Sequence, residues 1–371
     1  MTELDPVAMI SQCQTRHEYL GMITQHLLNA ITQAPRHAHK DTYVHRALDE
    51  FIGADRLAIS FQRPIVLLYN EVLHVDVFLA MHRYFQQRAC DIRNVWIVTT
   101  ATLGLTDWYD DWLDVMGERD HGMRILEAPW VSRIFQDRFE KIRSAPARQK
   151  FQWYYSMYGG SYRSDERDLL TAWFLDTDLG FVDYLAGFTG DREHLANYFE
   201  TMTHFCDQAQ VERLLSRLDH KFPPAPTKKH NEGFEHDGFQ FQHDIRSFGQ
   251  VIRETFNAQP WATITEKTLR PFLHLQIPLP LSGPMAQAHL IQQGFEFLPE
   301  IDYGYQRQGD LVDRCRGLEH MIRDLAQKYT LADLADMADQ HRAIFQHNYD
   351  LIAQKVLFLR NIETFKTAFN G

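Results

Sequence analysis

Cysteine is scarce in this chain. There are four in 371 residues, Cys13, Cys90, Cys206 and Cys315, far apart and with no CxxC pair. That spacing argues against a zinc site or a disulfide framework and makes a reducing compartment the default. Long apolar runs are lacking too: nothing approaches the roughly 18 apolar residues of a membrane span. The first residues, MTELDPVAMISQCQ, have no basic segment followed by an apolar one, so no signal peptide is expected. Together these absences predict a soluble, cytoplasmic protein. Positive charge is also in deficit: 38 Lys and Arg stand against 49 Asp and Glu, a net charge of −11. An acidic chain is a poor non-specific ligand for nucleic acid, although a local basic groove remains possible. What the chain does have is apolar material, 44% of its residues against 23% charged, which is ordinary globular composition. Its length suits two domains or one large one.

The first 57 residues read as a helical extension, with Leu20, Ile23, Leu27, Leu28 and Ile31 on one stripe at helical spacing. The grammar then changes. PIVLLYN (64–70) and NVWIVTT (94–100) are buried strands on either side of an amphipathic helix beginning VDVFLAMHRYF, and MRILEAP (123–129) offers a third strand. Strand, helix and strand with short joints predict a parallel sheet covered on both faces. VSRIFQDRFEKIRSA reads as a helix leading to a polar joint near residue 147, which is taken as a domain boundary. The second half, 148–371, repeats the pattern. Strands are expected at 150–159, 247–256, 277–284 and 295–302, and helices at 164–176, 192–220, 265–275 and 286–294. From Leu311 onward two or three amphipathic helices follow. The expected fold is therefore α/β, with two Rossmann-like domains at 58–147 and 148–371 and helical additions at both ends. Ligands in such folds bind at the carboxyl ends of the strands.

One stretch stands out. ATITEKTLRPFLHLQIPLPLSGP (262–284) puts Glu266 and Lys267 at the opening of a helix that follows a short apolar run. Upstream, SFGQVIRETF ends near Glu254, and downstream comes LIQQGFEFLPEIDYGY. In this order the three pieces resemble a group of glycosyltransferase-like proteins, many encoded by phages and bacteria. They also resemble the nucleotide-sugar domain of α1,3-fucosyltransferases and exostosin-type enzymes, where the motif reads Thr-Glu-Lys. SMYGGSYRSDERDLL is similar to the segment of those families in which an Arg opens a helix reading Arg-x-x-Leu-Leu. The resemblance covers about residues 150–350. It implies a GT-B fold and transfer of a sugar from a nucleoside diphosphate-sugar donor, inverting and metal-independent, with no other cofactor. It implies donor binding by Arg163, Arg167, Glu254, Thr265, Glu266, Lys267 and Arg270, with Glu266 on the ribose and Glu254 on the sugar or ribose.

The chemistry agrees with that assignment. A departing nucleoside diphosphate gathers negative charge, which cations and helix N-termini can meet. Lys267 stands in a first helical turn, where a cation is unfavourable for the helix itself, and so has another use. Truncation at a helix start should cost little stability. The trio also fits plain helix capping, with Thr265 as the cap and Glu266 as a first-turn acid. Arg163 and Arg167 fit either a diphosphate clamp or pairing with nearby acids, and Arg270 either approaches phosphate or covers the helix surface. A base is needed to deprotonate the acceptor hydroxyl, and Glu71, His74 and Asp76 follow the first strand. Asp76 also reads as a helix cap and His74 as a surface loop residue. TDWYDDW, with Asp107, Asp110 and Asp111, is an acidic aromatic patch read as a solvated loop. The segment 228–244 gathers His230, His236 and His243 with carboxylates at no standard metal spacing, and reads as a flexible loop over the cleft.

The expected acceptor is a carbohydrate or small molecule. A hydroxymethylated base in DNA is the alternative, since many of the resembling proteins are phage-encoded. A third possibility is a non-catalytic nucleotide- or sugar-binding protein of the same fold, because DYGYQ (302–306) stands where the resembling proteins read Asp-Glu-Ser-Tyr-Asp.

Overall fold

In the computed structural model the apolar runs become strands. The structure describes residues 65–69, 73–87, 91–131, 150–159, 179–184, 246–254 and 259–370, with Leu170, Trp173, Phe174 and Glu212 between them. Apart from Val131, Leu170, Trp173, Phe174 and Glu212, the expected helices at 131–145, 164–176 and 192–220 lie outside the described residues, as do the loop at 228–244 and the extension before residue 58. The chain divides into two compact units. One holds the described residues up to 131 together with Gln259–Thr265 and Val356–Gly371. The other holds those from 150 to 254 together with Glu266–Lys355.

In the first unit, β1 (Ile65–Tyr69), β2 (Val95–Thr99) and β4 (Arg124–Glu127) form a parallel sheet in the order β1-β2-β4. Ile65 pairs with Val95, and Trp96 with Arg124. The helices α1 (Val75–Gln86) and α2 (Leu105–Met116) supply Phe78, Met81, Phe85, Tyr109 and Leu113 to the core, where they meet Leu67, Val95, Ile97 and Trp261. TDWYDDW is thus helical rather than a loop. Leu105, Tyr109 and Leu113 recur every four residues on the buried face, while Asp107, Asp110 and Asp111 stay exposed. A two-stranded ribbon pairs β3 (Thr102–Leu103) with β8 (Ala262–Thr263), antiparallel. The last helix, α8 (Val356–Asn370), also belongs to this unit; its Asn361 side chain accepts the Trp130 amide at 3.0 Å.

In the second unit, β5 (Trp153–Gly159), β6 (Gly180–Tyr184), β7 (Ser247–Ile252) and β9 (Ile277–Pro280) form a parallel sheet in the order β6-β5-β7-β9. The two prolines of β9 suit its place at the edge of the described sheet, because proline cannot donate to a ladder. Gly180 at the start of β6 lies opposite Tyr155 in register, and a Cβ there would stand 2.2 Å from the Tyr155 ring. Helix α3 (Glu266–Leu273) precedes β9, and α4 (Ala286–Gln292), α5 (Leu311–Lys328), α6 (Leu331–Gln340) and α7 (Arg342–Ala353) follow it. The core runs from Tyr155, Met157, Phe248 and Val251 of the sheet to Leu318, Ile322, Leu334 and Phe345 of the helices. Among the described residues no helix is long and apolar enough to cross a membrane.

The strand expected at 295–302 is not one. Phe295 stacks on Phe272 with centroids 4.2 Å apart, and Phe297 meets Tyr303 edge-on. The backbone of Glu296 finds its partner in a side chain instead. The Asn348 amide of α7 accepts from the Glu296 N–H at 2.8 Å and donates to its carbonyl at 2.7 Å. One buried asparagine thereby does for this residue what a neighbouring strand would do.

Candidate functional site

The four-stranded sheet marks a place for a site. From β5 the chain leaves toward β6 on one side, and from β7 it leaves toward β9 on the other. The carboxyl ends of β5 and β7 therefore flank the switch point, where open parallel sheets bind ligands. Arg253 and Glu254 follow directly on β7, and both are buried.

Glu254 is wholly buried, with no exposed side-chain surface, and α3 comes to it. The Thr268 hydroxyl donates to Glu254 Oε1 at 2.8 Å, and Lys267 Nζ lies 3.5 Å from Oε2. Both partners stand in the first turn of α3, which opens at Glu266. A lysine there opposes the helix dipole, and the carboxylate from β7 offsets that. Lys267 keeps 18% of its side chain exposed, so within this cluster it reaches solvent while Glu254 holds it. Truncating Lys267 therefore carries a stability cost that a helix-start position alone does not suggest. Arg270 follows one turn later and is buried, not a surface cover. Pro271, next in line, has no N–H, so the Lys267 carbonyl lacks the i+4 donor of a regular helix.

The structure thus brings Glu254, just past β7, together with Lys267 of α3, and adds Thr268, which sequence reasoning did not single out; Arg270 lies further along α3, and Arg253 precedes Glu254. Thr268 is fourteen residues from Glu254, and no spacing rule joins them. Thr265 precedes α3 directly and is half-buried. Glu71, Arg163 and Arg167 lie outside the described residues.

His74 and Asp76 belong to the first unit. Asp76 is not the cap of its helix. It sits exposed in the first turn of α1, and His74 holds the N-cap position without a side-chain cap bond. His74 is half-buried, and its Nδ1 lies 3.4 Å from the Gln259 side-chain nitrogen. Gln259 also accepts the Val75 amide at 2.9 Å.

A carboxylate that sequence reasoning missed stands at the carboxyl end of β4. Glu127 accepts the Leu105 amide at 2.7 Å and the Thr106 hydroxyl at 3.2 Å, with the Thr102 hydroxyl at 3.4 Å. It therefore serves as the cap of α2 from a neighbouring strand, since Gly104 at the N-cap has no side chain. Burial pushes the Glu127 carboxyl above its ordinary range, and these donors offset the shift only in part.

A separate cavity of about 580 Å³ lies beside α5, lined by Glu300, Asp302, Tyr305, His320, Asp324 and Tyr329 among others. No residue expected at the site lines it. Its acids are engaged: Glu300 with His341 at 2.7 Å, Asp324 with His320 at 3.4 Å, and Asp302 with the Gly304 amide at 2.8 Å. Among the described residues no group of three or more His, Cys, Asp or Glu is placed to hold a metal.

No family model and no curated protein matches the chain. A solved structure of a DNA-modifying enzyme, β-glucosyltransferase, determined in the presence and absence of uridine diphosphoglucose, aligns with 81% of this chain and 82% of its own. The identity is 14% and the TM-score 0.28, a likeness too slight to carry an argument about fold or activity.

Proposed function

We propose that the protein is a metal-independent, inverting glycosyltransferase of the GT-B type that uses a nucleoside diphosphate-sugar donor. The observation that carries this reading is the cluster at the end of β7: a buried carboxylate that holds a lysine at the first turn of α3, beside the switch point of a parallel sheet. The lysine and the α3 amides meet the charge that builds on the leaving diphosphate. Arg270 adds a second cation one turn on, and Arg163 and Arg167 complete the clamp. Glu266 takes the ribose hydroxyls. Glu254 acts by positioning Lys267, because in this structure none of its side chain is open to solvent. The acceptor is a carbohydrate or small molecule, with Glu71, His74 and Asp76 as candidate bases.

The test is a thermal-shift screen of nucleoside diphosphates and their sugars, followed by donor hydrolysis without acceptor. A ligand at 100 times its Kd adds about 2.7 kcal/mol to native stability. Stabilisation by one nucleoside diphosphate, lost in Lys267→Met, is the expected result. A shift that survives in a folded Lys267→Met refutes the site. Binding without donor hydrolysis identifies a binding protein of the same fold.

A further inference from the structure

In the first unit a buried histidine links three elements. His82 of α1 is fully buried. Its Nδ1 lies 2.6 Å from the Tyr109 hydroxyl of α2, and its Nε2 lies 3.3 Å from Oε2 of Glu118, just beyond α2. The same Tyr109 oxygen accepts the Met123 amide at 3.0 Å, one residue before β4. Glu118 Oε2 also accepts from Gln86 at 2.8 Å. Trp112 closes the remaining side, its ring edge-on to the imidazole at 4.9 Å.

The partners fix the tautomer. An ionised Glu118 only accepts, so Nε2 carries the hydrogen of the neutral ring and Nδ1 accepts from the Tyr109 O–H. Both ring nitrogens of His82 and the Tyr109 hydroxyl then have partners. A second proton on the ring puts an N–H at Nδ1, facing the Tyr109 oxygen. That oxygen must then accept from both Met123 and His82, and the phenolic hydrogen has to leave its partner. The added charge also sits in a wholly buried ring. Glu118 favours the charge, whereas Arg83 on the same helix opposes it. From α2, Asp110 adds negative charge near Tyr109.

We propose that the His82–Tyr109–Glu118 chain is an acid-sensitive latch: protonation of His82 releases the join between α1, α2 and the start of β4. The latch closes when the ring is neutral and opens in mildly acidic solution. Burial holds the His82 imidazole below its ordinary value, and Glu118 offsets this in part. The sign follows. A histidine held low in the folded state contributes stability that is fully present above the unfolded value near 6.5 and is lost as pH falls through the folded value. His82, Tyr109, Glu118 and Met123 all belong to the first unit.

The Met123 amide gives a direct readout, because its partner is the Tyr109 oxygen. Native-state hydrogen exchange, corrected for intrinsic rates, is measured from pH 7.5 to 5. Met123 protection should fall by up to about tenfold per pH unit once the opened histidine protonates. Amides of β7 and β9 should not follow it. In His82→Gln the Met123 protection should be flat with pH. Should that variant fail to fold, the wild-type ring itself is titrated by NMR, with a midpoint below 6.5 expected, and Glu118→Gln should move that midpoint lower. PH-independent Met123 protection in the wild type, a ring that titrates at or above 6.5, or an unchanged midpoint in Glu118→Gln overturns the proposal.

Discussion

The pair formed by Lys267 and Glu254 makes a quantitative test of the site. Lys267→Met removes the cation from beside a carboxylate with no exposed surface, which the Thr268 hydroxyl still meets. Losing one member of a buried ion pair costs about 3–5 kcal/mol. That is a large part of the 5–15 kcal/mol typical of a folded chain. Glu254→Gln keeps an oxygen to accept from Thr268 but takes the carboxylate charge away from the ammonium; with 18% of Lys267 exposed, solvent relieves part of that loss. The double variant, Lys267→Met with Glu254→Gln, removes both charges of this pair at once. It should therefore be more stable than Lys267→Met alone, with a coupling of about 0.5–3 kcal/mol. Urea denaturation followed by circular dichroism at pH 7.5 gives all four corners of the cycle. Both Lys267 variants should lose nucleoside diphosphate binding, so stability recovers in the double variant while ligand binding does not. Additive losses, with the double variant as unstable as the sum of the singles, refute the idea that Glu254 holds Lys267.

Two further outcomes are expected. Asn348→Leu removes both bonds to the Glu296 backbone, which leaves a part-buried amide and carbonyl without that partner, and urea midpoints should show a loss of about 1–3 kcal/mol; a loss under about 0.5 kcal/mol counts against Asn348 as a strand substitute. An acid whose carboxyl is held high in the folded state contributes stability that is present below its unfolded value near 4.5 and is lost as pH rises through the folded value. Wild type should therefore lose stability relative to Glu127→Gln as pH rises from 4 to 7, and a difference that stays constant across that range refutes the assignment.

Much of the sheet architecture was legible in the sequence. PIVLLYN and NVWIVTT are near-continuous apolar runs of strand length, the mark of strands buried on both faces. The two-residue strands β3 and β8 were not legible, since a ribbon that short leaves no periodicity to detect. GFVDY of β6 was missed because its glycine and aspartate weaken a run of only five residues. FEFLPEID misled for the opposite reason. Phe295 and Phe297 alternate as in a strand, but their partners are an aromatic stack and one asparagine 52 residues away. In TDWYDDW the three aspartates drew attention from the Leu105, Tyr109 and Leu113 spacing that makes it a helix. At the site, the order of Glu254, Glu266 and Lys267 was legible. The burial of Glu254 and the arrival of Thr268 beside it depend on how α3 docks on β7, and no local pattern encodes that.

The discontinuous make-up of the first unit has a consequence for synthesis. Multidomain chains commonly fold from the amino end as each domain leaves the ribosome. Here β3 waits for β8, about 160 residues later, and the Trp130 amide waits for Asn361, 231 residues later. Every strand of the second unit emerges before that last helix does. The earlier part of the first unit therefore waits through about 160 residues of synthesis with β3 unpaired, and longer with α8 absent, open to chaperones, until α8 emerges.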